Sequence, residues 1–288
     1  MSRLTHLVRA LALAGVTSAL AASAFASVTV KDGLGNTLAS GVTAFDENET
    51  GSGVVKGAGT AAPVVGAIQD YLYQANVVSF TGALSPTLNG SFAAGGYEVT
   101  VSAHVQLQVT SVNLVGTGYV ATFKAIGGTA ALYYDSKLEG GVKSDTASGN
   151  GFDDGHMFGM FNVTPGGVSS FFSPTAGSGI GSAAFNFQVV GAVDGNYLSS
   201  STGPITGMNF SSNQSLPVGT SATTSFHNNS SNNFGDLFTT YAVGNNDLLL
   251  KVDGSTTFTT PVPEPSSYAL LLAGLGVFGF LARRRRSL

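Results

Sequence analysis

The most regular feature of the chain is a strict alternation over Tyr97 to Val109. Tyr97, Val99, Val101, Ala103, Val105, Leu107 and Val109 are apolar, and Glu98, Thr100, Ser102, His104, Gln106 and Gln108 stand between them. A period of two over thirteen residues excludes a helix face and predicts a strand with one face on a core and the other in water. Gly116-Thr117-Gly118 then reads as a tight turn into a hairpin partner in which Tyr119, Ala121, Phe123 and Ala125 alternate. Further strands are predicted at Val77 to Thr81, Thr129 to Tyr134 (after Gly127-Gly128), Met157 to Val163, Ala184 to Val190 and Leu248 to Val252, with Phe158, Phe161, Phe185 and Phe187 in the core. One helix is expected, over Val64 to Gln74, around Ile68, Leu72 and Tyr73. Ser199 to Asn233 is dense in Ser, Thr and Asn and reads as a surface loop, and Thr256 to Val262 as a spacer.

Short strands separated by Gly, Asn, Asp, Pro and Ser, with no fixed-period repeat, predict a mainly β chain with a single antiparallel β-sandwich-like domain over residues 27–258. Composition supports folded structure. Only 10% of residues are charged and 39 are Gly, yet 19 Phe and 9 Tyr supply more aromatic surface than a disordered chain carries. There is no Cys, so neither disulfides nor thiolate chemistry is available. Arg3, Arg9 and Arg283 to Arg286 are six of the twelve basic residues, which leaves residues 27–262 with six Lys, no Arg and all the acids except Glu264, a net charge of about −9. Binding to nucleic acid needs clustered Lys and Arg to displace phosphate counterions, and this body has no such cluster.

Both ends read as addresses. Arg3, His6 and Arg9 precede an apolar run from Ala10 to Ala22, and Ala24-Phe25-Ala26 offers the small residues that signal peptidase requires. Residues 1–26 are therefore expected to form a signal helix removed by cleavage between Ala26 and Ser27. At the other end Pro263-Glu264-Pro265 is followed by fifteen uncharged residues, Tyr268 to Ala282, and by Arg283-Arg284-Arg285-Arg286. As a helix the apolar segment would be about 22 Å long. That is short for a hydrocarbon core of about 30 Å, so flanking residues and snorkelling arginines must complete the span. The arginines hold that end in the cytoplasm by the positive-inside rule.

This order of parts over residues 263–288 resembles the PEP-CTERM sorting domain of Gram-negative bacteria. The resemblance implies a membrane enzyme, the exosortase, that recognises the tail, cuts near the motif and passes the protein to the cell surface or the medium. It divides 259–288 into a linker, the motif at 263–265, a transmembrane helix at 268–282 and a cytoplasmic Arg cluster at 283–286. It also implies association with exopolysaccharide, as in flocs and biofilms.

Candidate chemistry in the body is sparse. His104 falls on the polar face of the long strand, His156 in Asp153-Asp154-Gly155-His156, and His227 in an Asn- and Ser-rich stretch; none has metal-ligand spacing. Asp46, Asn48, Thr50 and Gly51 match the opening of a calcium loop, but Gly57 stands where a bidentate Glu is required. Gly-x-Ser-x-Gly is absent, and the acids cluster only as Asp46/Glu47/Glu49 and Asp153/Asp154. The sequence therefore predicts no catalytic residue, no metal and no cofactor. The leading expectation is an exported structural protein of the surface or matrix; a carbohydrate-binding module and a secreted hydrolase are the alternatives.

Overall fold

The computed structural model describes residues 27–261 apart from 48–50, 60, 84–87, 89–95, 137–141, 176–177, 217–223 and 227–239. The described residues contain fourteen strands and no helix: β1 Val28–Lys31, β2 Thr37–Val42, β3 Ala44–Glu47, β4 Gly51–Val55, β5 Ile68–Thr81, β6 Tyr97–Val115, β7 Gly118–Ser136, β8 His156–Ser173, β9 Gly179–Val189, β10 Leu198–Ser200, β11 Gly207–Leu216, β12 Ser225–Phe226, β13 Tyr241–Ala242 and β14 Leu248–Thr259.

Strands β5 to β9, β11 and β14 form an antiparallel meander in which each pairs with the next. The last strand then returns to the first. β14 pairs with β3 at Ser255↔Asp46 and with β4 along Leu248↔Val55 to Val252↔Gly51, and β3 and β4 both pair with β5. β3 and β4 thus share one place in the ring, and the sheet closes into an antiparallel barrel of eight strand positions. The expected antiparallel β architecture is present, but as a closed barrel and not as two facing sheets. Alternation marks which residues face inward; it carries no information on whether the first and last strands meet. Closure removes the unpaired edges that would otherwise template aggregation.

The inward positions alternate large and small. Tyr71, Tyr73, Phe185, Phe187, Met208 and Phe210 lie among Ala75, Ala103, Ala125 and Ala130, all buried. Tyr73 and Phe210, from strands that are not neighbours in the sheet, meet with ring centroids 5.0 Å apart, and Tyr71 and Phe185 meet at 6.4 Å. About 10 Å³ of free volume remains among these side chains, and about 30 Å³ in a second space bounded by Tyr71, Tyr119 and Leu250. The first is at the limit for one water molecule and the second holds one or two at most. Among the described residues the barrel is filled, with no room for a small organic ligand.

A second layer covers part of the outside. Phe226 of β12 packs on Val54 and Leu72, Gln74 donates to Ser225 O at 3.2 Å, and Thr100 Oγ1 donates to Phe152 O at 2.7 Å. Ser52, Gln74, Glu98, Thr100 and Ser102 are buried as a result. The polar face of the long strand is therefore in water only from its middle onward, at Gln106 and beyond. The sheet β10-β1-β2 adds Val28, Val30, Ala39, Val42 and Leu198 to the core.

Several expectations are corrected. The region proposed as a helix forms β5 from Ile68 onward, because Tyr71, Tyr73, Ala75 and Val77 supply a period-two inward face. Gly127-Gly128 does not separate two strands. β7 runs through it with a bulge, where Gln106↔Gly127 is followed by Leu107↔Ala125 and Ile126 is left unmatched. Ser199 to Asn233 is not one loop: it contains β11, hydrogen-bonded to β9 and β14 on its two sides. Its inward row runs Met208, Phe210, Ser212, Gln214, so the apolar signal stops after two residues. Thr256 to Val262 is not a spacer throughout, since Thr256 and Phe258 are buried in β14 and the compact unit extends to Thr260.

Gly128 sits at φ +128°, and a Cβ there would lie 2.1 Å from His104 O. Gly57, at φ +65°, has open space around the same position. Gly128→Ala should therefore cost roughly 3 kcal/mol or more and Gly57→Ala only about 1 kcal/mol, read from urea unfolding midpoints. Equal costs would show that the bulge does not constrain the barrel.

Candidate functional site

The outward side chains of β7, β8, β9, β11 and β14 are mostly small and polar, and the register aligns them. Thr122 lies opposite Ser170, Ser170 opposite Ser182, Ser182 opposite Asn213, and Asn213 opposite Asp253. Two residues along the strands a second row runs Lys124, Val168, Ala184, Ser211, Ser255 and Asp46, each facing the next. Ser and Ala leave little bulk above the backbone. These rows line an open trough of about 800 Å³, with Thr110 and Gly166 also on its wall. With strands about 4.8 Å apart, the five-residue row is about 19 Å long and crosses the strands at right angles.

The polar groups here are partly organised among themselves. Thr122 Oγ1 lies 2.8 Å from Thr110 Oγ1 and 2.7 Å from Ser111 Oγ, and Ser170 Oγ lies 3.4 Å from Ser182 Oγ. Ser79 Oγ donates to Asp46 at 2.9 Å. Among the described residues lining the trough Lys124 is the one cation, and Asp46 and Asp253 are the acids. No expectation from sequence included this site. Ser170 and Ser182 fall outside the predicted strands and Ser211 inside the predicted loop, and only the pairing register places them in line.

His104, His156 and Asp154 have structural partners. His104 Nε2 lies 2.8 Å from Asp70 Oδ1 on the outer face of the sheet, half-buried. His156 Nε2 lies 3.2 Å from Asp194, and its ring stacks on Tyr197 at 4.4 Å. Asp154 accepts from Val142 N at 2.9 Å, and Asp153 is buried. Asp46 and Gly51 fall on β3 and β4, while Asn48 and Thr50 of the calcium-loop pattern, Glu49 of the acid cluster and His227 lie outside the described residues. Among the described residues no three His, Asp or Glu side chains are grouped as metal ligands.

One carboxyl is enclosed by the barrel itself. Glu47 is fully buried, accepts from Tyr73 Oη at 2.7 Å and from Thr256 Oγ1 at 2.6 Å, and abuts Gly254, where a Cβ would lie 2.1 Å from Oε2. Burial pushes its pKa up from 4.5 to about 7, against the pull of the two donors. Glu98, bonded at both carboxylate oxygens to Ser144, is also raised by burial.

The residues expected to carry sorting lie largely outside the described chain. Ala24, Ala26, Pro263, Glu264, Pro265 and Arg283 to Arg286 are beyond it, as are the expected signal helix and the segment 268–282. No helix of the described residues is long and apolar enough to cross a membrane. Ser27 is the first described residue, next to β1. At the other end Thr260 is buried, with Oγ1 2.8 Å from Thr202 Oγ1, and Pro261 is exposed. Pro261 and Val262 alone separate the barrel from Pro263.

The body is thus a closed antiparallel barrel joined directly to a short terminal signal. Residues 261–286 match the family model of the PEP-CTERM protein-sorting motif, so the chain carries that motif. It marks an exported protein sorted by exosortase. No curated protein and no solved structure matches the chain.

Glu47 gives the barrel a pH dependence of known sign. Below pH 4.5 the carboxyl is protonated in the folded and unfolded chain alike. Between there and about 7 the folded chain keeps a proton that the unfolded chain releases, so stability falls as pH rises through this window and then levels off. The loss is on the order of 3 kcal/mol. Glu47→Gln should remove this component, so that the variant gains stability relative to the parent at pH 8 compared with pH 4. A constant difference across that range would show that the buried carboxyl does not titrate there.

Proposed function

We propose that the protein is a non-catalytic structural component of the bacterial surface or extracellular matrix. It is exported with loss of residues 1–26 to signal peptidase, held briefly in the inner membrane by 268–282 with Arg283 to Arg286 on the cytoplasmic side, and cut by exosortase near Pro263-Glu264-Pro265. The released barrel associates with exopolysaccharide in biofilm or floc.

The observation that carries this reading is the sorting motif at 261–286 standing immediately after a complete barrel. A body that ends at Thr260 loses no part of its core when the tail is removed. The filled interior supports a structural role over a carrier role, because it has no space for a cargo. The fold also suits an exterior setting without disulfides: closure leaves no unpaired barrel edge, and Ser and Thr hydroxyls supply solubility where charges are few.

Deletion of residues 261–288 should leave folded protein in the medium, without surface association, in cells that hold an active exosortase. The full chain in the same cells should yield a surface or matrix form whose intact mass lacks the arginine tail. Identical distribution of the two chains, or a mature mass that includes Arg283 to Arg286, would contradict the proposal.

A further inference from the structure

We infer that the outer trough is a binding surface for an uncharged polysaccharide chain lying across the strands along Thr122, Ser170, Ser182, Asn213 and Asp253. The inference rests on the proposed association with exopolysaccharide and assigns it a place and a chemistry.

Four observations carry it. The row presents hydroxyl, amide and carboxylate groups at successive strand spacings of about 4.8 Å, close to the length of one sugar unit in an extended glycan. Hydroxyls and amides both donate and accept, as sugar hydroxyls do, so the row can meet either polarity of partner. The trough's volume of about 800 Å³ lies within the range of ligand sites. Part of the outer face of β4 to β6 is covered by β12 and by the segment around Phe152, whereas Ser182, Ser211, Asn213 and Asp253 are exposed.

Charge sets the class. Among the described residues the trough carries one cation, Lys124, and two carboxylates, Asp46 and Asp253, and residues 27–262 contain no Arg and a net charge of about −9. A polyanion such as a uronic-acid polymer would be repelled, and it would lack the Arg forks that bind carboxylates in pairs. Among the described residues lining the trough the only aromatic is the half-buried Phe123. Without a stacking platform each site binds weakly, and retention in a matrix comes from many sites along many chains. Because hydrogen bonds and not ion pairs make the contact, binding is insensitive to salt.

The test is native affinity electrophoresis of the full-length chain in detergent, through gels containing dextran, hydroxyethylcellulose or galactomannan, with alginate as the polyanion. The parent chain should be retarded by at least one neutral polymer at low and high salt and not by alginate. Ser170→Leu/Ser182→Leu and, separately, Asn213→Ala/Asp253→Ala should bind roughly tenfold more weakly. Gln106→Leu, also outward but outside the trough, should be retarded like the parent. Circular dichroism melts identify any variant that fails to fold; the alanine pair retains a test if the leucine pair does not fold. No retardation by any neutral polymer, retardation by alginate alone, or equal retardation of the parent and both trough variants would overturn the inference. In producing cells, a trough variant that stays matrix-bound like the parent removes the trough and leaves the proposed function standing. A parent that is never matrix-bound removes the proposed function itself.

Discussion

The structure depends on one pairing: β14 hydrogen-bonds to β11 on one side and to β3 and β4 on the other. Without it the seven-strand meander would have two long open edges and an interior exposed along its length. With it, Phe45 meets Phe258 at 4.9 Å and Glu47 reaches Thr256, contacts that join the first and last parts of the barrel. The chain has no Cys and few charges, so burial of apolar surface and the backbone ladder supply its stability. Closure also brings residues about two hundred positions apart into register, a contact of the long-range kind that slows folding.

The inward face of the barrel was legible wherever both neighbours of a strand allowed a long apolar alternation. Tyr97 to Val109, with its turn at Gly116-Thr117-Gly118, is the clearest case, and parts of β7, β8 and β9 follow. The signal failed where an inward residue is polar. Ser212 and Gln214 hid β11 among serines and asparagines, and Thr256 hid the second half of β14. It failed too at Val64 to Gln74, where Ile68 and Leu72 suggested a helix face while the inward row was Tyr71, Tyr73 and Ala75. The trough was not legible at all, because its residues come from seven strands and are aligned only by register. The sorting motif is the reverse case: its information is local, in order and spacing along a short tail, and the sequence alone conveys it.

These features bear on function together. A filled interior leaves the outside of the barrel as the place for contacts. Part of that outside is covered by β12, β13 and the segment around Phe152, and the rest presents the aligned hydroxyls. Two residues separate the core from the Pro-Glu-Pro motif, so the proposed cleavage near that motif would leave the barrel without an appended tail. The same economy explains the composition: Gly and Ser build bulges, turns and a recessed surface, and the aromatics fill the centre.

Closure by the last strand is most directly tested by native-state hydrogen exchange on the full chain. Amides of Val252 to Phe258 should exchange as slowly as those at the centre of β6 and β7, since all would be released only by global unfolding. Exchange of the β14 amides within seconds, while β6 and β7 stay protected, would mean that the sheet is open and that the barrel described above does not exist in solution.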